Sequence, residues 1–200
     1  YAHTYLLSSV LSANYEDKTG DGPTNDDLGS YTVFEYEKPE ATPYNWRIPS
    51  GANQASYNAG LNTDKNDQKG SYLYGEKEVK YLKKISTKTH VALFSLSKRE
   101  DGRGVTGENG GVSAASGSMY KLDQIRLYSR PEYVQYESEM EDNDPTNDPT
   151  EAQLSAIKTA HFDYSYELCD GVPNNLSGNG KLTLKKVHFT YRDSKMGTQS

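Results

Sequence analysis

The sequence is short of the residues that build large cores, and it has almost no cysteine. Hydrophobic residues fill 34% of the 200 positions and the mean hydropathy is −0.89, whereas a globular chain has about 45–50% apolar residues. The single cysteine, Cys169, excludes an internal disulfide, and we expect it to be a small buried residue at a strand end. No apolar run approaches the length of a membrane-spanning helix, so membrane insertion is not expected.

Positive charge is also scarce. The chain has 22 Lys and Arg against 28 Asp and Glu, which gives a net charge of −6 and a pI of about 5.3. A nucleic-acid-binding domain normally carries a basic stripe, but the densest basic stretch, Lys77–Lys84, alternates with apolar residues. The sequence therefore predicts no nucleic-acid partner, and the acidic balance fits a secreted or cell-surface protein.

Motifs of common catalytic sites are missing. There is no Gly-x-Ser-x-Gly, no phosphate-binding loop and no His-Glu-x-x-His. No two of the four histidines stand at the spacing of metal ligands. His161 and His188 lie in strands that we expect to pair, which predicts a cross-strand contact. These absences favour a non-catalytic module over an enzyme.

The sequence does contain many tyrosines and many short alternating runs. The 17 tyrosines offset part of the apolar deficit, because each can bury a large ring and keep a polar tip exposed. Tyr31–Glu37 and Ala160–Leu168 alternate between two faces, as half-buried strands do. We predict an all-β fold of roughly seven to ten antiparallel strands, as a β-sandwich or an open β-shell segment. Lys38–Ser71 is expected to be a long polar loop, and Tyr72–Thr87 a long strand or a bent hairpin arm. Arg130–Glu151 is acidic and interrupted by prolines, and its end, Glu141–Glu151, is expected to be a stiff exposed linker.

A pair of strand patterns recurs along the chain. Lys88–Leu96 can be laid over Lys158–Tyr166, and each is followed by a Leu-x-x-Ile/Val strand, at Leu122–Ile125 and Leu184–Val187. A weaker copy combines Phe34–Tyr36 with Leu82–Ile85, so the repeats span about residues 31–87, 88–128 and 158–191. Repeats of this kind usually serve architecture. We expect one β-rich domain over residues 1–200, as a fragment of a larger chain.

The Leu-x-x-Ile/Val spacing has a structural consequence. Three is an odd step, so on a regular strand the two apolar residues face opposite sides. A β-bulge between them would turn both to one face. The alternatives are a strand buried on both faces and, since i and i+3 also align on a helix, a helical segment.

The best candidate for a metal site is the loop Asp17–Asp27. Calcium takes six to eight oxygen ligands, which tightly turned acidic loops supply. When Asp17 is counted as position one of an EF-hand-type loop, Asp21, Gly22 and Asn25 fall at positions five, six and nine. Position twelve lacks its usual Glu, and Asp26 or Asp27 is a possible substitute. The candidate calcium ligands are Asp17, Asp21, Asn25, Asp26 and Asp27, and the alternative is a solvated turn.

Tyr44 and Trp46 are the candidate ligand-binding residues. They stand two positions apart inside the long loop Lys38–Ser71. Exposed aromatic rings could stack on a sugar or anchor a protein partner. The alternative is that Trp46 folds back over the core beneath its own loop.

Several segments together resemble a module of very large secreted bacterial surface proteins, some of them related to RHS/YD-repeat toxin-shell proteins. The segments that carry the resemblance are Tyr5–Val10, Thr19–Pro23, Asp27–Ser30, Tyr74–Val79, Ser86–Ala92 and Gly180–Tyr191. The resemblance implies an extracellular or cell-surface β module within a much larger chain, and it supplies no catalytic residues.

We therefore expect a non-catalytic structural or adhesive module, stabilised by calcium if the Asp17–Asp27 loop binds it. Its expected partners are neighbouring domains of the same chain, or a surface glycan or protein. A carbohydrate-binding module is the first alternative. A glycoside hydrolase-like enzyme that uses a carboxylate pair is the second, since long loops can host such a site.

Overall fold

The computed structural model describes residues 4–56, 70–141, 155–192 and 194–195, and within these ranges it confirms an all-β fold. The described elements are ten strands and one helix: β1 (Ser9–Leu11), β2 (Tyr31–Glu37), β3 (Tyr44–Ile48), β4 (Leu73–Lys77), β5 (Tyr81–Thr87), β6 (His90–Arg103), β7 (Ser118–Ser129), α1 (Arg130–Glu141), β8 (Lys158–Leu168), β9 (Lys181–Tyr191) and β10 (Ser194–Lys195).

Eight strands form one antiparallel sheet in the order β1-β2-β5-β6-β7-β8-β9-β10. The other two, β3 and β4, pair with each other in a separate two-stranded ribbon. The part of the chain that the structure describes thus has one large sheet and one ribbon, and the predicted sandwich of two sheets is not confirmed.

All three Leu-x-x-Ile/Val strands contain the predicted β-bulge. In β7, Ile125 lies opposite Phe94 and Leu122 lies opposite Leu96, so Asp123 is the extra residue between two pairs that share a face. The register shifts in the same way in β5 and β9, where the extra residues are Lys83 and Lys185. Each bulge places the Leu and the Ile or Val on one face and the two polar residues between them on the other.

The β6–β7 and β8–β9 hairpins correspond in the structure with a shift of two residues from the sequence alignment of Lys88–Leu96 with Lys158–Tyr166. Phe162 lies opposite Val187 just as Phe94 lies opposite Ile125, whereas the overlay aligned Phe94 with Tyr164. The overlay followed the shared Lys-Thr start of the two segments. The pairing instead follows the apolar face and the bulge of the partner strand, which set strand register.

One face of the sheet is covered by α1. The core beneath the helix contains Val91, Leu93, Tyr128, Tyr133 and Ala156, with the half-buried Tyr136 packed against it. The rings of Tyr128, Tyr133 and Tyr136 contact in series, with centroids 6.2 Å apart at each step. Tyrosine thus supplies much of the small core, as the composition predicted.

The opposite face is apolar and is most exposed on β9. The bulge aligns Leu184, Val187, Phe189 and Tyr191 on this face of β9, and their exposed fractions are 51%, 44%, 42% and 41%. We call these four residues the β9 ridge. The Lys158 ammonium lies 4.1 Å from the ring centroid of Phe189, on the same face.

The helix α1 lies in the first part of the acidic run Arg130–Glu151, for which no helix was predicted. The signal that was missed is the Ser-x-x-Glu pattern of Ser129–Glu132 with Pro131 in the first turn, which is typical of a helix N-terminus. In the structure, Ser129 Oγ donates a hydrogen bond to the Glu132 carboxylate at 2.6 Å. Residues 142–151 lie outside the described ranges. No helix in the described ranges is long and apolar enough to cross a membrane.

Three further expectations are corrected. The loop Lys38–Ser71 contains the strand β3, and the run from Tyr72 to Thr87 divides into β4 and β5, which belong to different sheets. Cys169 is exposed rather than buried. It follows the last residue of β8 with a φ of 61°, so the strand has already ended and its side chain is clear of the core.

Candidate functional site

Three of the five predicted metal ligands come together. Asp17, Asp21 and Asp27 each offer a carboxylate oxygen, and these oxygens lie within 4.8 Å of one another. Such a group of oxygens could hold a hard cation. Asp17 and Asp21 are exposed, whereas Asp27 is buried.

Asp27 organises the loop through protein hydrogen bonds. Its two oxygens accept from Tyr15 Oη at 2.8 Å, from the Lys18 N–H at 3.1 Å and from the Thr24 N–H at 2.9 Å. The bond from the Thr24 N–H is the largest cause that holds the pKa of Asp27 below its usual value, and burial opposes it. The same carboxylate and the burial of the phenol raise the pKa of Tyr15.

Asp17 has a similar role at the other end of the loop. It accepts hydrogen bonds from the backbone N–H groups of Thr19, Gly20 and Gly22 at 3.2, 2.6 and 3.0 Å. These are the bonds of an Asp-capped turn, and they support the alternative that the loop is a solvated turn.

The other two predicted ligands lie outside the group of three. Asn25 Oδ1 accepts a hydrogen bond from Tyr31 Oη at 3.1 Å, and Asp26 accepts one from Thr24 Oγ1. No observation here identifies calcium, so calcium binding stays a prediction.

The predicted aromatic pair lines a cleft. Tyr44 and Trp46 are next-but-one neighbours on β3, and both are half-buried. The cleft has a volume of about 330 Å³, which is at the lower end of the range for small-molecule sites. Its lining is Tyr44, Trp46, Arg47, Ile48, Pro49, Ser50, Gln54, Arg103, Gly104, Val105, Pro173 and Asn174.

Two glycines make room for the aromatic rings. Trp46 pairs with Gly75 across the ribbon, and a Cβ at Gly75 would lie only 2.8 Å from three atoms of the indole. A Cβ at Gly104 would lie 3.2 Å from the Tyr44 ring and 2.5 Å from the Asn45 carbonyl oxygen. Each ring therefore rests closely on bare backbone, which fixes its position in the cleft wall.

Hydrogen bonds join the ribbon to the end of β6. The Val105 N–H donates to the Asn45 carbonyl at 2.9 Å, and Tyr44 Oη donates to the Arg103 carbonyl at 3.3 Å. Burial of the Tyr44 ring raises the pKa of its phenol. These bonds build the cleft from segments about 60 residues apart in the sequence.

Two arginines give the cleft positive charge. Arg47 is buried at 6% exposure, its Nη1 donates to the Pro49 carbonyl at 2.6 Å, and its guanidinium lies 4.2 Å from the ring centroid of Tyr72. Arg103 is half-buried. The described lining of the cleft contains neither aspartate nor glutamate. Sequence reasoning found the aromatic pair but missed Arg103, because nothing local to Arg103 marks its proximity to β3.

The predicted contact between two histidines is confirmed. His161 and His188 lie directly opposite each other on β8 and β9, with stacked rings whose centroids are 4.6 Å apart. His161 Nε2 is 2.9 Å from Thr190 Oγ1, and His188 Nδ1 is 3.3 Å from Asp163 Oδ2. The pair is a packing contact on the face that also carries α1.

Comparisons with protein-family models, with curated proteins and with solved structures found no match. The functional assignment therefore depends on the geometry of this chain alone.

Proposed function

We propose that this chain is a non-catalytic structural module of a larger secreted or cell-surface protein, and that its sheet continues into a neighbouring β-hairpin of the same protein. The observation that carries the proposal is the exposed β9 ridge. Four large apolar side chains on one strand form a patch of the kind that marks an interaction surface.

The order of the strands supports a β-hairpin as the neighbour. Three strand pairs with the same bulge, β2 with β5, β6 with β7 and β8 with β9, follow one another across the sheet. β9 is the last strand of this series. Among the described residues, its outer edge pairs with β10 only at Thr190 and Tyr191. The Leu182 N–H donates to Asp101, so the outward-pointing backbone groups of residues 183–189 are the ones open to a further strand.

The ridge is positioned to receive such a strand. Leu184 and Val187 stand on either side of the bulge, where a fourth hairpin with the same pattern would place its own apolar residues. Main-chain hydrogen bonds would align the new strand, and the ridge would bury the apolar side chains of that strand. In β-strand addition, main-chain bonds usually supply affinity and side-chain contacts supply specificity.

The test is binding of an apolar fluorescent dye to the isolated chain. We expect the wild type to bind 8-anilinonaphthalene-1-sulfonate while folded, and the double variant Val187→Thr/Phe189→Thr to lose most of the signal, because threonine keeps strand propensity but lowers the apolar area. Leu176→Thr is the matched control, since Leu176 is also exposed, at 48%, but lies outside the ridge. A folded chain that binds no dye, or a double variant that binds as much as the wild type, would contradict the proposal.

A second candidate function is saccharide binding. It is favoured by the cleft that places Tyr44 and Trp46 together beside polar side chains such as Gln54 and Asn174. Pockets of this composition, with an apolar wall and a few polar groups, are the usual form of small-ligand sites. Loss of glycan binding in Trp46→Ala would support this candidate, and unchanged binding would exclude this cleft.

A further inference from the structure

We propose that the cleft beside β3 binds a sugar that carries an anionic group, a carboxylate or a sulfate, with the sugar ring on Trp46 and the anion on Arg103. This inference rests on the second candidate function and specifies its substrate class. It is carried by the charge of the lining and by the position of the aromatic wall.

The charge of the cleft is opposite to that of the chain. The protein has a net charge of −6, yet the residues that line the cleft in the described ranges include two arginines and neither aspartate nor glutamate. Two carboxylates on other segments have partners of their own. Glu40 accepts from Lys98 and Tyr120, and Glu108 accepts from Tyr72 Oη at 2.6 Å.

The two guanidinium groups have different roles. Arg47 is held by the carbonyls of Pro49 and Gly51 and by the Tyr72 ring, so it contributes fixed positive charge to the wall. Arg103 forms no salt bridge within the described ranges and is half-exposed in the cleft. The N–H groups of its planar guanidinium can donate two parallel hydrogen bonds, which matches the geometry of a carboxylate or sulfate.

The aromatic wall indicates a ring rather than a simple ion. The Trp46 indole is backed by Gly75, remains half-exposed and lines the cleft, so part of a flat apolar ring is available to a ligand. A sugar ring has one face of C–H groups that fits such a surface, while its hydroxyls can bond with Gln54, Ser50 and Asn174.

The experiment uses Trp46, the only tryptophan in the chain, as the reporter. Its intrinsic fluorescence is titrated with a galacturonic acid trisaccharide, with the neutral methyl ester of the same trisaccharide, and with a sulfated galactose trisaccharide. We expect an acidic ligand to bind about tenfold more tightly than the ester, because the ester cannot accept a charge-assisted pair from Arg103. The carboxylated and sulfated arms distinguish the two sources of the anion.

Two variants locate the anion. Arg103→Gln is expected to weaken binding of the acidic ligand about tenfold and to leave binding of the ester unchanged, whereas Arg103→Lys retains part of the affinity. Arg192→Gln is the matched control, because Arg192 is exposed, follows the last residue of β9 and does not line the cleft. Circular dichroism checks that each variant folds.

The outcomes separate the two proposals. Equal binding of the acid and its ester, or an unchanged affinity in Arg103→Gln, overturns the anionic inference and leaves saccharide binding in place. A folded wild type whose Trp46 fluorescence responds to none of the three trisaccharides overturns both.

Discussion

Single carboxylates hold the loops of this chain by accepting hydrogen bonds from backbone and side-chain donors. Asp27 accepts four bonds in the loop Asp17–Asp27 and its surroundings. Asp101 accepts two from Arg99 and one from the Leu182 N–H at 3.0 Å, which ties the end of β6 to β9. The sequence identified Asp17–Asp27 as a structured acidic loop, but it could not show whether the oxygens serve a metal or the backbone, because both uses need the same residues.

Asp27→Ala is expected to lower the thermal midpoint by several degrees, on the order of 5 °C. The substitution leaves the N–H groups of Lys18 and Thr24 and the hydroxyl of Tyr15 without their acceptor. Asp26→Ala is the control, because Asp26 is exposed and its side chain bonds to the Thr24 hydroxyl. Equal midpoints for Asp27→Ala and the wild type in a calorimetric scan would show that these bonds do not organise the loop.

The prediction of calcium is tested by the same scan. Ligand binding to the native state raises the midpoint by mass action. A higher midpoint in millimolar calcium than in EDTA, abolished by Asp21→Ala, would support a metal site. Identical midpoints would leave Asp17–Asp27 as a hydrogen-bonded turn.

Stability is expected to fall as the pH drops below about 4, the range in which free Asp and Glu protonate. The pKa values of Asp26, Asp27, Glu40 and Asp101 all lie below their usual values; for Asp101, burial alone would raise the pKa, but the bonds from Arg99 and Leu182 outweigh it. A depressed pKa means that the unfolded chain binds protons first, so the stabilisation is present above the unfolded pKa and is lost as the pH falls through the folded value. Urea midpoints at pH 7, 5, 4 and 3 measure this, and a constant midpoint down to pH 3 would contradict it.

Strands with bulges are the elements that the sequence predicted best. The Leu-x-x-Ile/Val pattern fixed the position of all three bulges, because the odd spacing can place both apolar residues on one face only through an extra residue. The pattern could not assign partners, since alternation shows which residues share a face and not which strand lies beside it. That is why β3 and β4 were missed as a separate ribbon.

Deletion of Asp123 is expected to destabilise the fold by about 2–4 kcal/mol. Without the extra residue in β7, Leu122 would turn to the face that carries α1, while Leu96 stays on the opposite, apolar face. Asp123→Ala keeps the bulge and is the control, with an expected effect of about 0.5 kcal/mol or less. Urea denaturation compares the two variants, and equal losses would show that the bulge does not set the register.

At the scale of the whole molecule, the cleft beside β3 and the β9 ridge are two surfaces without a partner in the described chain. Sequence reasoning named Tyr44 and Trp46 in the first, but Arg103 and Asn174 reach it only through the fold. The exposure of the ridge was not predicted. The sequence pattern of an alternating apolar strand is the same whether the strand lies at the centre of a sheet or at its edge.

The most direct test of the open sheet is amide hydrogen exchange of the isolated chain, followed residue by residue. We expect about half of the amides in residues 183–189 of β9 to exchange rapidly, because alternate N–H groups of an edge strand point away from its one partner. The amides of Gln124–Leu127 in β7, which pairs on both sides there, should exchange slowly. Amides of β9 that are all as slow as those of β7 would mean that its edge is already covered within this chain, and would contradict a sheet that continues into a neighbouring hairpin.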